Sequence, residues 1–321
     1  MEGVLDVRVV IPGGSGQVGA ILARHFQARG DEVTVLSRRP RAAPWRVAAW
    51  DAAELEETDA LVNLAGRSVN CRYGAESRRE IRESRVRSTM WLHEALTRLS
   101  RPPRVWINAS TATIYRHALD RAMDEQTGEL GGGEPGSPQT WRFSIEVAKA
   151  WEAAFFSRAH LGCRQVAMRS AMTMSPDRGG VFDVLLGLVR HGMGGRQGAG
   201  SQYVSWIHET DFARAVEWLI ERDDWAGVVN VASPNPLPNR EFMRVLRKAW
   251  GTRVGLAVPR WMLEIGACVI RTETELILKS RRVVPGRLAA AGFRFEYPEW
   301  EGAARELVGR WRQKQVQHGW A

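Results

Sequence analysis

The sequence has few of the features that stabilise exported proteins or anchor proteins in a membrane. It contains only three cysteines, Cys71, Cys163 and Cys268, and none are spaced as a Cys-x-x-Cys, so we expect neither a disulfide framework nor a metal site. Its apolar stretches are short and interrupted, for example by Glu264, and its N-terminus carries acidic side chains where a signal peptide needs basic ones. We therefore expect a cytoplasmic protein without a membrane span.

The charge is strongly positive but dispersed. The 321 residues carry a formal net charge of +9, almost entirely from arginine, because only four residues are lysine. Nucleic-acid-binding proteins usually cluster their basic residues. Here short pairs such as Arg38-Arg39 are separated by acids, and there is no basic tail. The charge therefore predicts a small phosphate-bearing ligand and disfavours nucleic acid as a partner.

Short β-branched runs alternate with longer amphipathic segments along most of the chain. This alternation is typical of an α/β fold with a doubly wound parallel sheet. The predicted strands are 6–11, 32–36, 46–50, 60–65, 104–110, 164–169 and 227–232. The predicted helices are 17–29, 76–99, 140–160, 181–190, 211–222 and 239–250.

A Pro-rich turn, SPNPLPN at 233–239, ends the alternation. No strand pattern of similar strength follows, so the remainder is predicted to be a small, mainly helical module. We therefore divide the chain into an α/β domain, residues 1–232, and a C-terminal module, residues 233–321. The first includes a Gly-rich loop at 191–206, and long loops in α/β folds often carry function.

A glycine-rich turn follows the first predicted strand. VVIPGGSGQVG has the pattern G-x-x-G-x-x-G between that strand and the first helix. Glycine lets the backbone turn tightly and approach a pyrophosphate, whose charge the amides at the helix N-terminus then stabilise. An ordinary βα turn can also be Gly-rich, but strand, turn and helix occur here in the order that a dinucleotide site requires. The predicted phosphate site comprises Gly13, Gly14, Ser15, Gly16, Gln17, Val18 and Gly19.

The end of the second predicted strand indicates which dinucleotide is bound. NAD sites place an acidic residue there for the ribose 2′-hydroxyl, whereas this chain has Ser37, Arg38 and Arg39. One hydroxyl and two guanidinium groups suit a 2′-phosphate, so NADP(H) is predicted over NAD(H). Asp51, after the third strand, has two interpretations that the sequence leaves equal: an acceptor for the adenine amine, or the cap of a following helix.

Five segments, in order, connect the chain with a known family. GGSGQVG is followed by NLAG at 63–66, STATIY at 110–115, GGRQGAGSQYVSWIHETD at 194–211 and NVASPNPLPNREF at 230–242. With these segments the chain resembles the extended short-chain dehydrogenase/reductases. Within them it is similar to the atypical nucleoside-diphosphate-sugar epimerase-like proteins, whose small C-terminal module of unknown function resembles residues 280–300.

The resemblance covers nearly the whole chain and implies a Rossmann-like domain, bound NADP(H) and a substrate cleft over the carboxyl ends of the strands. It also implies that Leu64, Ala65 and Gly66 lie along the cofactor. It does not imply a particular reaction, because the substrates of this group are poorly defined.

The resemblance gives the segment after the fifth strand a catalytic role. Thr111 matches the serine or threonine that hydrogen-bonds the reacting oxygen, and Ser110 stands beside it. The residues themselves leave three candidate proton donors: Tyr115, His208 and ordered water on Thr111. A polar strand end that caps its neighbours is the structural alternative. Sugar-nucleotide dehydratases have Asp-Glu directly after this threonine, whereas this chain has Ala112-Thr113. Dehydratase chemistry is therefore disfavoured.

The next long helix lacks the tyrosine that the family uses for proton transfer. Family members present Tyr-x-x-x-Lys there, in which the lysine lowers the pKa of the tyrosine and binds the nicotinamide ribose. With Lys149 as that lysine, Ile145 takes the tyrosine position, whereas alignment on Glu152 gives Ser144. An isoleucine has no proton to exchange, and Ser144 has no evident partner in the sequence. Lys149 is then a remnant or a cofactor contact.

The Gly-rich loop 191–206 and the residues after it predict a substrate site. They offer Arg196, Gln202, Trp206 and His208. An arginine and an aromatic ring suit a phosphate and a flat ring, and glycines suit a loop that closes over a ligand. The structural alternatives are a core position for Trp206 and a structural role for His208.

The sequence leaves two functions open. The first is an NADP(H)-dependent epimerase or reductase that acts on a small polar substrate, of which a nucleotide-linked sugar is one example, with Thr111 orienting the reacting oxygen. The second is a catalytically silent NADP(H)-binding sensor, which the missing tyrosine favours. The sequence does not indicate the proton donor, the direction of hydride transfer or the oligomeric state.

Overall fold

The structure is a computed structural model that describes residues 7–160, 162–269 and 273–317. Two features of the sequence lie outside the described residues: Asp6, where the first strand is predicted to begin, and the side chain of Cys268. Of the other two cysteines, Cys71 and Cys163 are both free thiols. Within the described ranges, no helix is both long and apolar enough to cross a membrane.

A seven-stranded parallel sheet forms the centre of the molecule, and each of its strands coincides with a predicted one. Its strands are β1 (Arg8–Pro12), β2 (Glu32–Leu36), β3 (Arg46–Ala48), β4 (Ala60–Asn63), β5 (Val105–Thr111), β6 (Arg164–Ser170) and β10 (Gly227–Val231). Four shorter strands pair beside it: β7 (Met172–Met174) with β9 (Trp206–His208), and β8 (Tyr203–Val204) with β11 (Leu237–Pro238). The predicted fold class, a doubly wound parallel sheet, is confirmed.

The order of the strands places a crevice at the carboxyl edge of the sheet. Across the sheet the order is β3-β2-β1-β4-β5-β6-β10, so the direction of winding reverses between β1 and β4. In doubly wound sheets, ligands bind outside the carboxyl ends of the strands at such a reversal. The turn after β1 and the segment after β4 therefore lie where a ligand is expected to bind.

The helices cover both faces of the sheet and continue into the C-terminal part. They are α1 (Gln17–Arg29), α2 (Ala75–Leu96), α3 (Gln139–Phe155), α4 (Val181–Arg190), α5 (Glu209–Glu221), α6 (Asn239–Trp250), α7 (Arg260–Val269), α8 (Glu275–Leu278), α9 (Gly286–Ala290) and α10 (Trp300–Gln317). Helices α1 and α5 share one core with the sheet, and α2 and α3 pack on its other face. The predicted helices differ from these mainly at their ends, where propensity is weakest.

A separate aromatic core joins the C-terminal helices. Trp300 of α10 stacks on Phe242 of α6, with 4.0 Å between the ring centroids, and lies 4.9 Å from the Trp206 ring. All three rings are buried. The chain between α8 and α9 runs back to the main sheet, since the amide of Met123 donates to the carbonyl of Arg282 at 2.7 Å. Residues 273–283 therefore lie near the carboxyl end of β5.

Candidate functional site

The turn between β1 and α1 fits only glycine at two positions. Gly13 has a φ of +74°, and a Cβ on it would lie 2.5 Å from the Cα of Ala65. A Cβ on Gly19 would overlap the backbone of Gly14. The turn therefore packs closely against the segment after β4 on one side and against its own helix on the other.

The N-terminus of α1 is uncovered. Gly16 is its N-cap and provides no side-chain cap, and the first turn contains no acidic residue. A Cβ on Gly16 would meet no atom within 4 Å, so the space in front of the helix is open. Ser15 is exposed there, and Gln17 and Val18 are half-buried. Backbone amides that face open space at a helix N-terminus fit a phosphate group.

Two arginines follow β2. Ser37 is buried, and its Oγ accepts a hydrogen bond from the amide of Arg39 at 3.3 Å. The side chains of Arg38 and Arg39 are exposed, and neither guanidinium has a hydrogen bond or ion pair within the described part of the chain. Two free guanidinium groups beside a hydroxyl fit a 2′-phosphate, and no carboxylate stands here to repel one.

Asp51 caps the short 3-10 helix Ala52–Leu55. Its Oδ1 accepts a hydrogen bond from the amide of Ala53 at 3.0 Å, and the side chain is exposed. Of the two interpretations that the sequence left equal, the structure contains the cap. The other carboxylate oxygen has no hydrogen bond among the described residues, so a contact with adenine stays a prediction.

The segment after β4 lies directly against the glycine turn. The amide of Leu64 donates to the carbonyl of Pro12 at 2.8 Å, and the amide of Ala65 donates to Asn63 Oδ1 at 3.1 Å. Asn63 Nδ2 in turn donates to Asn108 Oδ1 on β5 at 2.6 Å. These bonds bring the predicted residues Leu64 to Gly66 to the same edge as the phosphate turn.

The contacts of α3 show which of its faces is turned towards β5. Glu152 binds Arg169 of β6 through two hydrogen bonds of 2.8 and 2.7 Å, and it accepts a third from Ser110 Oγ at 2.6 Å. Ala148, one turn earlier, is buried in the cluster that follows β5. Residues spaced by four share a helix face, so Ser144 continues this face past the end of β5. In the alignment on Glu152, the tyrosine position therefore lies on the face of α3 that is turned towards β5, and the choice of Ser144 for that position stays a prediction.

Lys149 and Ile145 do not share that face. Lys149 is exposed, and its Nζ donates to the carbonyl of Gly131 at 2.7 Å. It also lines an open cleft of about 620 Å³ between α2 and α3, on the outside of the molecule. Ile145 is buried against Gly131 and Gly132. In the structure Lys149 thus binds the loop before α3, which fits a remnant, and a cofactor contact for it stays a prediction.

The three predicted catalytic residues occupy different environments. Thr111 is half-buried at the end of β5, and its Oγ1 accepts from the amide of Thr113 at 3.1 Å. Ser110 is buried and bonded to Glu152. Tyr115 is buried, donates to Asn230 Oδ1 at 2.9 Å and accepts from Arg169 at 3.0 Å. Only Thr111 therefore has a hydroxyl near open space, and the predicted role of Tyr115 as proton donor is not retained.

Ser144 has a partner that the sequence did not reveal. Its Oγ donates to Oε2 of Glu275, on α8, at 2.5 Å, and Tyr73 is a neighbour of both side chains. The expectation that Ser144 has no partner is therefore wrong. The physical reason is distance along the chain, because 131 positions separate Ser144 from Glu275.

Two more charged side chains complete this cluster. Arg281 lies 3.6 Å from Glu275, and its Nε donates to Thr113 Oγ1 at 3.0 Å. Lys279 Nζ donates to the carbonyl of Thr113 at 2.6 Å. Glu275, Lys279 and Arg281 are all at least 95% buried, with exposures of 3%, 1% and 5%. We call Tyr73, Ser144, Glu275, Lys279 and Arg281 the buried charge cluster.

Burial changes the protonation of this cluster. It raises the pKa of Glu275, against the opposing charge of Arg281. Burial and the charge of Arg281 together lower the pKa of Lys279 to about 7. Burial and the charge of Glu275 raise the pKa of Tyr73 to about 12. A carboxyl whose pKa is raised by burial and a lysine whose pKa lies near 7 are the kind of perturbation that clusters at functional sites.

Three of the four predicted substrate residues are buried. Gln202 is buried and donates to the carbonyls of Gln197 and Ile277 at 2.7 and 3.1 Å. Trp206 is buried and donates to the carbonyl of Asn235 at 3.2 Å. The amide nitrogen of Gln202 and the indole nitrogen of Trp206 therefore already have acceptors inside the protein, and a ligand contact for either residue stays a prediction that these bonds do not favour.

His208 is the third of these residues, and it holds the start of α5. It has no exposed surface, its Nδ1 accepts from the amide of Thr210 at 3.1 Å, and its Nε2 bonds to Glu306 Oε2 at 2.9 Å. These contacts match the structural role that the sequence left as the alternative for His208. Arg196 remains exposed, with its guanidinium 2.9 Å from the carbonyl of Gly198, so a substrate contact for it stays a prediction.

Sequence reasoning missed the three charged members of the buried charge cluster: Glu275, Lys279 and Arg281. One signal for them existed. Lys279 is one of only four lysines, and it stands beside Arg281 and Arg282 in a segment that ends in VVPG. Charged residues next to such an apolar run suggest burial, but nothing local indicates that they face β5.

The fold and the glycine turn indicate the class of protein to which the chain belongs. A doubly wound parallel sheet, a glycine turn before α1 and a crevice between β1 and β4 are those of a Rossmann-type dinucleotide-binding protein of the extended short-chain dehydrogenase/reductase kind. The chain belongs to the NAD dependent epimerase/dehydratase family, whose model matches residues 9–232. Residues 258–307 match a domain of unknown function, DUF1731. The resemblance drawn from the sequence is thus confirmed.

Known proteins resemble the chain over nearly its full length. Human epimerase family protein SDR39U1 is 32% identical over 311 residues, which cover 94% of this chain and 100% of that protein. A Staphylococcus aureus epimerase family protein is 26% identical over 307 residues, 93% of this chain and 98% of its own. The crystal structure of human SDR39U1 with NADPH has a TM-score of 0.83 at 30% identity and covers 94% of this chain and 99% of that one. A nucleoside-diphosphate sugar epimerase from Corynebacterium glutamicum has a TM-score of 0.72 at 27% identity, over 98% of this chain and 61% of its own.

Proposed function

We propose that this protein binds NADP(H) and uses it as an epimerase or reductase that acts on a carbon–oxygen centre of a small polar substrate. The observation that carries the proposal is an uncovered α1 N-terminus together with unpaired Arg38 and Arg39 after β2. The first suits a pyrophosphate and the second a 2′-phosphate. The NADPH in the crystal structure of the human relative supports the same choice. When bound, the dinucleotide supplies or accepts a hydride.

The residues for the cofactor follow from this arrangement. The turn Gly13 to Gly19 would hold the pyrophosphate, the segment Leu64 to Gly66 would lie along the dinucleotide, and Ser37, Arg38 and Arg39 would hold the 2′-phosphate. Asp51 would contact the adenine through its free carboxylate oxygen.

Thr111 is the residue for the reacting oxygen. Its Oγ1 accepts from the amide of Thr113, so its own proton is free to be donated. It is half-buried at the carboxyl end of β5, the edge at which ligands bind in such sheets. Arg196 is the remaining candidate for a charged group of the substrate.

The division of the chain into residues 1–232 and 233–321 belongs to the same proposal. Every strand of the main sheet ends by Val231, and Glu275 to Arg281 reach the end of β5 from the second part. The first part would bind the cofactor, and the second would form the substrate side. The free thiols Cys71 and Cys163 support a reducing compartment such as the cytoplasm.

Calorimetry with NADPH and NADH tests the cofactor. The wild type should prefer NADPH, because each charge-assisted bond to the 2′-phosphate contributes about 1.5 to 3 kcal/mol. Arg38→Ala combined with Arg39→Ala should remove the preference and leave NADH binding unchanged. Arg305→Ala, an exposed arginine on α10, is the control for charge. Equal wild-type affinities for the two dinucleotides would refute NADP(H) as the cofactor.

A catalytically silent NADP(H) sensor is the second candidate, and a specific observation favours it: α3 contains no tyrosine, so the Tyr-x-x-x-Lys pair is missing in either alignment. A panel of UDP-, GDP- and dTDP-sugars with NADP(H), run on the wild type and Thr111→Ala, separates the two. Turnover that Thr111→Ala abolishes supports the enzyme. NADPH binding without any turnover supports the sensor.

A further inference from the structure

Ser144 and Glu275 offer the proton chemistry that α3 otherwise lacks. We propose that Ser144 exchanges a proton with the reacting oxygen of the substrate on one side and with the buried carboxyl of Glu275 on the other, and that this pair replaces the missing tyrosine. The proposal rests on the proposed function, dinucleotide-dependent chemistry in this cleft. It makes Ser144 the catalytic residue and Glu275 a positioning residue that acts through it.

The position of Ser144 supports contact with a substrate. It continues the helix face of Ala148 and Glu152, and the lower part of that face is fixed to β5 and β6 by the bonds of Glu152. Ser144 lies eight residues before Glu152, about 12 Å along the helix axis. Because α3 runs antiparallel to β5, this places Ser144 beyond the carboxyl end of the strand. Its side chain is half-buried, so part of it is accessible to a ligand.

A continuous chain of contacts connects this pair to Thr111. Thr111 accepts from the amide of Thr113, Thr113 accepts from Arg281, and Arg281 lies 3.6 Å from Glu275. Glu275 then accepts from Ser144 at 2.5 Å. The residue for the reacting oxygen and the proposed proton donor therefore belong to one rigid network at the end of β5.

The surroundings of Glu275 suit a carboxyl that changes its protonation state. One of its oxygens binds Ser144, and the other has no hydrogen-bond donor among the described residues. Burial raises its pKa and favours the neutral acid, whereas Arg281 and Lys279 favour the carboxylate. The remaining charged or titratable neighbours are Glu273 and Tyr73. Opposing influences of this kind make the protonation state of a carboxyl sensitive to changes in its surroundings, such as a bound ligand.

Each proton in this relay has a source and an acceptor. In the reducing direction, the carbonyl carbon of the substrate gains a hydride, its π bond breaks, and the oxygen gains the hydroxyl proton of Ser144. The Ser144 oxygen regains a proton from the Glu275 carboxyl, which becomes a carboxylate and is later protonated from solvent. In the oxidising direction each transfer reverses, and Glu275 receives the proton of the substrate hydroxyl.

Infrared spectroscopy of protein labelled with ¹³C-glutamate tests this without a known substrate. Near neutral pH the wild type should give the carbonyl band of a protonated carboxyl, and Glu275→Gln should remove it. Glu264→Gln, which removes a partly exposed carboxylate on neighbouring α7, should keep it. Transfer to D₂O then measures proton exchange, with Ser144→Thr and Ser144→Val as variants of equal shape that differ in the hydroxyl.

The outcomes separate the proposal from its alternatives. Exchange at Glu275 should stay fast in Ser144→Thr and slow by about 10²-fold in Ser144→Val. A carboxylate that stays ionised from pH 5 to pH 9, or equal exchange in the two variants, would overturn the relay. Failure of the apo protein to bind NADPH would overturn the proposed function instead, because the infrared experiment needs no cofactor.

Discussion

The two sides of the cleft are built in opposite ways. On the dinucleotide side, Gly13 to Gly19 and Leu64 to Gly66 offer backbone amides, with open space at Gly16, and neither segment contains a charged residue. On the other side, the buried charge cluster joins three segments of the chain, with 131 positions between Ser144 and Glu275 and 166 between Thr113 and Lys279. The backbone groups for the dinucleotide thus come from short, continuous segments of the sequence. The buried charge cluster, in contrast, forms only when the fold brings distant segments together.

The two sides also differ in how widely their features are shared among proteins. A glycine turn at a helix N-terminus fits any dinucleotide, so it identifies a large class of proteins. The buried charge cluster combines α3 with the C-terminal module, and the module supplies three of its five side chains: Glu275, Lys279 and Arg281. We therefore expect the substrate and the reaction to depend on the module more than on the sheet.

The largest loss of stability is expected on removal of Glu152, the residue that fixes α3 to β5 and β6. Glu152→Ala would leave Arg169, whose side chain is 8% exposed, buried without its carboxylate, and such a loss costs about 3 to 5 kcal/mol. Glu146→Ala, at an exposed position of the same helix, should change stability by about 0.5 kcal/mol or less. Urea unfolding measures both. Similar values for the two variants would mean that Glu152 does not fix the register of α3.

The sequence predicted the dinucleotide side well and the other side poorly, for a physical reason. All seven strands of the sheet could be placed, because each is a short apolar run bounded by turns. The glycine turn has its whole pattern within seven residues, from Gly13 to Gly19. Glu275 and Lys279 carry no such pattern, since a charged residue in a helix is normally solvated. Conversely, Gln202, Trp206 and His208 had the expected composition of a ligand loop but are held in internal contacts.

A second substitution tests the close packing of the glycine turn. Gly19→Ala would place a Cβ against the backbone of Gly14, and relief of such an overlap costs about 3 kcal/mol. Gly187→Ala is the matched control, because a Cβ there meets no atom within 4 Å in the middle of α4. That change should stabilise the protein by about 0.5 to 1 kcal/mol. Opposite signs in thermal unfolding support the geometry, and a stable Gly19→Ala would contradict it.

The buried charge cluster should give stability a specific dependence on pH. The pKa of Lys279 falls from 10.5 to about 7 on folding, so between these values the unfolded chain binds the proton and the folded chain does not. The contribution of Lys279 to stability therefore rises with pH across this window, by at most about 1.4 kcal/mol per unit. Lys279→Met should lack this rise. Urea unfolding of both proteins at pH 7, 8 and 9 measures it, and parallel curves would place the ammonium in a more polar environment.

The smallest expected effect concerns a residue that the sequence offered as a substrate contact. His208→Ala removes the cap of α5 and the bond to Glu306, and a lost N-cap costs about 0.5 to 2 kcal/mol. His208→Asn should recover part of this loss, because an asparagine oxygen can also accept from the amide of Thr210. His191→Ala, at an exposed histidine just after α4, is the control. NADPH affinity should be unchanged in all three variants, since His208 has no exposed surface. A loss of cofactor affinity or turnover in folded His208→Asn would instead show that His208 contributes to the ligand site. Loop 191–206 and the residues after it would then belong to the cleft, in contrast to the internal contacts of His208.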